Sequence, residues 1–190
     1  LRHEYTFESG PVDATGLRIV VSNTGTAIDE IEVYGPTGGP AIAVEQGFAV
    51  AWDGNDGVHF DAAAPPAGAV VPDNLALASN GAASFSSSDL GPELGIDFHV
   101  SGNANDGTYG NSNSWISASG DANPFIGVNL GSAVDISGIA WSRDNGNGAA
   151  DDSDPGSDAC GGQCDDRSTG VYTLQVTTTA NPNADTPDNA

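Results

Sequence analysis

Apolar side chains recur at every second position in short runs along this chain: Tyr5 and Phe7; Leu17, Ile19 and Val21; Phe48, Val50 and Trp52; Ile126, Val128 and Leu130; Val134 and Ile136; Ile139 and Trp141; Tyr172, Leu174 and Val176. A period of two places alternate side chains on opposite faces of a pleated ribbon, so each run reads as a strand with one face in a core. Between the runs, 26 Gly and 11 Pro join abundant Ser, Thr, Asn and Asp, which interrupts the chain too often for long helices. Seven or eight such strands make two packed sheets, and 190 residues suffice for one domain with a real core. The expected class is all-β.

The charge is as one-sided as the pattern is regular. Formal net charge is −22, and the four basic residues are all arginines: Arg2, Arg18, Arg143 and Arg167. Nucleic acids and anionic headgroups are held by clustered cations, so neither is an expected partner. No run approaches the roughly 20 apolar residues of a membrane span, and no membrane insertion is expected. The acidic coat suits salty surroundings, and some of its carboxylates are candidates for divalent cations. The first residues lack the pattern of a signal peptide, and the chain is expected to begin after processing or partway through a longer product. Cys160 and Cys164 flank Gly161-Gly162-Gln163 in an acidic, Gly-rich loop running from 144 to 169. A local disulfide is expected there, in keeping with a secreted or cell-surface protein, and no second Cys pair or nearby His completes a zinc site.

Several segments carry a resemblance. Gly16-Leu17-Arg18-Ile19-Val20-Val21-Ser22, a turn, and Ala27-Ile28-Asp29-Glu30-Ile31-Glu32-Val33-Tyr34-Gly35 look like a closing strand pair, whereas Asn74-Leu75-Ala76-Leu77-Ala78-Ser79 looks like an opening. Asn103-Ala104-Asn105-Asp106-Gly107, Ser114-Trp115-Ile116 and Phe125-Ile126-Gly127-Val128-Asn129-Leu130-Gly131 follow in family order. The family they resemble is the discoidin-like (F5/8 type C, galactose-binding-like) β-sandwich, found in repeats of large secreted bacterial surface proteins. On that reading 1–36 holds the closing strands, 37–72 is a Pro/Gly-rich connector with extra strands, 73–180 is the main part, and 181–190 is a polar tail. The implied fold is a jelly-roll sandwich of two antiparallel sheets, circularly permuted or completed by a neighbouring chain. The tail has no apolar periodicity, and its composition predicts disorder unless something outside the domain holds it.

The resemblance also implies a structural calcium. Its expected ligands are the Asn103 carbonyl, the Asp106 carboxylate, the Thr108 carbonyl, Ser114, the Asp29 carbonyl and the Glu30 carboxylate, the mixed hard-oxygen set that calcium accepts. They come from both out-of-order parts. Sugar contacts in this architecture use an aromatic platform with polar neighbours at the loop end, which nominates Tyr109, Asn111, His99 and Arg143. Tyr109, in a Gly-rich run, is expected to be exposed and Trp115 to be core. Asp53-Gly54-Asn55-Asp56-Gly57 resembles the start of an EF-hand loop, but Ala64 stands where a bidentate Glu belongs, so it reads as a turn.

No nucleophile elbow, zinc-protease helix or phosphate-binding Gly loop is present, and His3, His59 and His99 are scattered. Catalysis is not expected. Three readings of function follow. The chain is a self-associating structural protein, a homopolymer of filament or array subunits completing one another by strand addition; or it is a monomeric glycan-binding or adhesion domain; or it is one off-phase slice of a tandem array in a surface protein.

Overall fold

The computed structural model describes residues 2–36, 42–43, 46–54, 59–62, 68–70, 73–92, 95–110, 113–142 and 170–189, with only the backbone described at 42–43 and 59–62. The described strands are β1 (Arg2–Thr6), β2 (Val12–Val21), β3 (Ala27–Ile28), β4 (Glu30–Tyr34), β5 (Ile42–Ala43), β6 (Ala49–Trp52), β7 (His59–Ala62), β8 (Ala83–Ser86), β9 (Trp115–Ile116), β10 (Phe125–Ile136), β11 (Gly138–Ser142) and β12 (Tyr172–Thr177). Two short 3-10 turns, Ala78–Asn80 and Ser101–Asn105, are the helical segments among the described residues. The chain is all-β, and its strands form a sandwich.

One sheet runs in the order β4-β11-β1-β7 and the other in the order β6-β12-β2-β10-β8, with β5 beside β2 and a separate β3-β9 ribbon. The period-two stripes face inward as their alternation predicts. Tyr5, Ile31, Val33, Ile139 and Trp141 from the first sheet meet Leu17, Ile19, Val21, Ile126, Val128, Tyr172, Leu174 and Val176 from the second, all at 7% exposure or less. Aromatic rings cross the interface: Trp141 lies 5.4 Å from Tyr172 and 6.0 Å from Trp52, and His3 lies 4.7 Å from Tyr172. Burial of such apolar area, at roughly 25 cal/mol per Å2, supplies most of the stabilisation.

Strands from 1–36 and from the later half of the chain close on each other. β1 and β4 both pair with β11, while β2 pairs with β10 and β12. Tyr5 in β1 is flanked by β11 and β7, and Leu17 through Val21 by β10 and β12, so these strands have no open edge to donate.

Two features depart from the simple alternation. Leu174 is opposite Trp52 but Gln175 is opposite Val50, so Ala51 is an extra residue in β6. A bulge of one residue reverses the faces on either side of it. Trp52 thus enters the core while Val50 is 59% exposed, and Phe48 is fully buried on the opposite, outer surface of the sheet. The second departure is the tail, which packs against its own chain. Phe48 N–H donates to Pro187 O (3.0 Å), Asn189 N–H to Phe48 O (2.8 Å), and Thr15 Oγ1–H to Thr179 O (2.6 Å). These bonds and the burial of Pro182 and Thr186 offset the ordering cost that composition alone predicts to win.

The outer surface of the larger sheet carries its own apolar cluster of Phe48, Phe85 and Phe125, with ring centroids 6.1 and 6.4 Å apart. Gly127 makes the cluster possible, because a Cβ there would stand 2.5 Å from the Phe85 ring and 2.8 Å from Leu17 O. Gly127→Ala is therefore expected to lower stability by about 1–3 kcal/mol, the usual cost of overpacking. A thermal melt checks this, and a melting temperature at or above that of the parent contradicts the packing.

Candidate functional site

β4 alternates acids with apolar residues, Glu30-Ile31-Glu32-Val33, and pairs with β11 so that Ile31 is opposite Trp141 and Glu32 opposite Ala140. Ile31 and Val33 therefore face the core, and Glu30 and Glu32 share the outer surface. Both acids are nonetheless buried, at 0% and 1% exposure, because the loop containing Tyr109 covers them. The sequence shows this alternation but not the cover.

Glu32 is compensated. Arg2 donates from Nε to Oε1 at 3.0 Å and from Nη2 to Oε2, and the hydroxyls of Tyr34 and Tyr109 donate to the same carboxylate. Burial pushes this carboxyl up, but hydrogen bonds from Arg2, Tyr109 and Tyr34 outweigh it and hold the group below the usual carboxylate range. Arg2 also pairs with Glu4 at the surface. Beside these groups a recess of about 270 Å3 opens over Gly138 and Ala140, with Arg2, Glu4 and Tyr34 on its wall. Its floor is low because those two strand residues are small.

Glu30 is not compensated in this way. Its Oε1 accepts from Asn74 Nδ2 (2.9 Å) and its Oε2 from Gly107 N–H (3.0 Å), both neutral donors. Burial, reinforced by the charges of Asp106 and Glu32 and opposed by those two hydrogen bonds, pushes the carboxyl up to about 9. Asn74 is the hub here. Its Oδ1 accepts from Val33 N–H (2.8 Å) and Ala76 N–H (2.9 Å), and its Nδ2 also donates to Ile31 O (2.8 Å), so one amide closes the open edge of β4. The resemblance marked Asn74 only as the first residue of an opening segment and missed this role. An Asn after a Pro-Asp pair was the available signal, and it is a weak one.

Of the expected calcium residues, Asp29 and Glu30 meet the loop that carries Asp106 and Thr108, whereas Asn103 and Ser114 contact each other. The Asp106–Gly110 segment lies against β4, since Gly107 N–H bonds to Glu30 and Gly110 N–H to Asp29 Oδ2 (3.2 Å). Asp106 is exposed and accepts from Thr108 N–H (2.8 Å) and Asn113 Nδ2 (3.0 Å). Asn103 Nδ2 donates to Ser114 O (3.1 Å), while the Ser114 hydroxyl lies 2.9 Å from His99 Nδ1. Among the described residues no group of three or more His, Cys, Asp or Glu side chains is arranged to hold a metal. The expected set has only two carboxylates, Glu30 and Asp106, with three carbonyls and Ser114 completing it. Hard oxygens beside a buried, uncompensated acid suit calcium chemically.

The expected sugar contacts fare differently. Tyr109 is fully buried, not exposed, because its hydroxyl is spent on Glu32 and its ring covers β4. His99 is 7% exposed and turned toward Ser114. Neither offers a platform at the surface. Trp115 is core, with Nε1 donating to Ser88 O (2.9 Å). Asn111, Arg143, the acidic loop and the Cys160–Cys164 pair lie outside the described residues, as do Asn55, Asp56 and Gly57. Gly54 has φ of 84°, the left-handed conformation of a turn, as expected after the Trp52 strand.

Glu30 gives a pH dependence with a definite sign. A carboxyl at about 9 when folded, against an ordinary 4.5, binds more protons in the folded state between those values. Its stabilising contribution is complete below the unfolded value and is lost as pH rises through the folded one. In chelator, the parent should lose stability relative to Glu30→Gln from about pH 5 to about pH 9. Parallel denaturation curves at both ends of that range would contradict the burial.

No protein-family model, no curated protein and no solved structure matches this chain.

Proposed function

We propose that this chain is a non-catalytic, discoidin-like module of a secreted or cell-surface protein, stapled by calcium and working as an adhesion or carbohydrate-binding domain. The observation that carries the reading is Glu30: a fully buried carboxylate with neutral donors only, set against the Asp106 loop from the other part of the chain. Burial keeps the proton on this carboxyl up to about pH 9, and a divalent cation bound there would displace the proton and compensate the charge. Glu30 and Asp106 would supply the carboxylates, with the carbonyls of Asp29, Asn103 and Thr108 completing the shell. The ion would supply charge neutralisation and a cross-link between segments 77 or so residues apart, with no chemistry of its own. Both arginines among the described residues are engaged in pairs, Arg2 with Glu32 and Arg18 with Asp188. Glycans are the ligand class of this reading. The recess walled by Arg2, Glu4 and Tyr34 has the mixed donors and acceptors that sugar hydroxyls need.

A second reading, a subunit of a filament or surface array, rests on one different observation. β6 and β8 are each paired on one side only among the described residues, so each is an edge at which another copy can add. Electron microscopy of the purified chain separates the two: compact monomers favour the first reading and filaments the second.

Calcium is expected to raise the melting temperature. Saturation at a hundredfold excess over Kd corresponds to about 2.7 kcal/mol, or roughly 5–10 °C for a domain of this size. Asp106→Ala should remove that increment, whatever it does to stability in chelator. Equal melting curves in chelator and in millimolar calcium overturn the reading.

A further inference from the structure

Arg18 lies on the outer surface of the larger sheet, on the side opposite the β4 acids. Its guanidinium is caged between aromatic rings, 4.2 Å from the Phe48 centroid and 4.8 Å from that of Phe125. Nε donates to Gln175 Oε1 (2.6 Å), and Nη1 lies 3.4 Å from Thr186 O. The side chain is only 7% exposed, yet its counter-charge, Asp188 on the tail, is 60% exposed. A buried guanidinium requires a carboxylate, and this one comes from the rim of the site rather than from the sheet. Directly beside the pair a recess of about 400 Å3 opens, lined by Arg18, Val20, Asn123, Phe125 and Asp188.

We propose that this recess binds a carboxylate-bearing sugar, of the uronic acid type, whose carboxylate takes the place of Asp188 on Arg18. Each part of the recess matches one part of such a ligand. The guanidinium offers its Nη2, the nitrogen that now meets Asp188, as a charged donor to a carboxylate. The half-buried Phe125 ring offers an apolar face for the C–H side of a pyranose, and the exposed Asn123 amide offers a donor and an acceptor for hydroxyls. An acidic peptide is disfavoured because β2 is bonded on both sides, by β12 and β10, and leaves no open backbone next to Arg18 to hold an extended chain. The net charge of −22 repels a polyanion at long range, so the ligand is a short or terminal acidic unit. In the free protein Asp188 occupies the carboxylate position and closes the tail over the cage.

The site is remote from Glu30 and Asp106, so its fate is separate from that of the calcium reading. The test is a titration of the chain with glucuronate, with glucose and acetate as controls, followed by amide chemical shifts and run in chelator. Glucuronate is expected to shift Arg18, Asn123 and the tail amides, glucose to leave them still, and acetate to bind at least tenfold more weakly. Asp188→Asn removes the internal competitor and should bind glucuronate about tenfold more tightly, whereas Arg18→Gln should not bind it. Should Arg18→Gln fail to fold, Asn123→Ala serves instead, with an expected loss of severalfold for glucuronate. Failure of glucuronate to bind Asp188→Asn overturns the proposal, as does equal binding of acetate and glucuronate or unchanged affinity in Arg18→Gln.

Discussion

β2 lies between β10 and β12, two strands that begin more than a hundred residues further along the chain, and the rest of the sandwich is registered on those two ladders. Its inner side chains Leu17, Ile19 and Val21 form the centre of the core. Its outer side holds Gly16, against which Pro182 of the tail rests, and Arg18, which anchors Asp188. A shift of one residue in this pairing would send Arg18 into the core and Ile19 to the tail groove, so burial on both faces enforces the register. The cost is a high proportion of contacts between distant segments, which are slow to form.

The other sheet handles charge in a contrasting way. Glu30 and Glu32 share one face of β4 and are covered by the same loop, but only Glu32 receives a cationic partner. Arg2 satisfies it together with two phenols, a network in which each member holds the next in place. Glu30 is left with neutral donors, and the Asp106 loop brings a second negative charge toward it. The two acids stand two residues apart in sequence and are opposite in electrostatic circumstance. That asymmetry is what makes the Asp106 side of the loop a candidate cation site and the Arg2 side a rigid wall.

Much of the sandwich was legible because period-two burial is a local property. The stripes in β1, β2, β10, β11 and β12 face the core as their alternation predicts. The stripe of Phe48, Val50 and Trp52 was misleading because the extra residue Ala51 reverses the faces within it, and nothing in four residues announces a bulge. Tyr109 looked like a surface aromatic among glycines. Its hydroxyl found a buried acid 77 positions away, which no local pattern records. The tail reads as disordered by composition, and its order depends on a groove built from Gly16, Phe48 and Arg18.

Sequence by itself determined the class of the protein: alternation and frequent turn residues admit strands and disfavour long helices. Tertiary structure alone decided that strands near the start of the chain pair with β10, β11 and β12, that Glu30 is buried with neutral donors while Glu32 has a cationic one, and that Arg18 sits caged under the tail. The physical reason is range. Side-chain periodicity is set by neighbours along the backbone, whereas burial, charge compensation and concavity depend on which distant segments pack over a residue, and that is fixed only when the whole core forms.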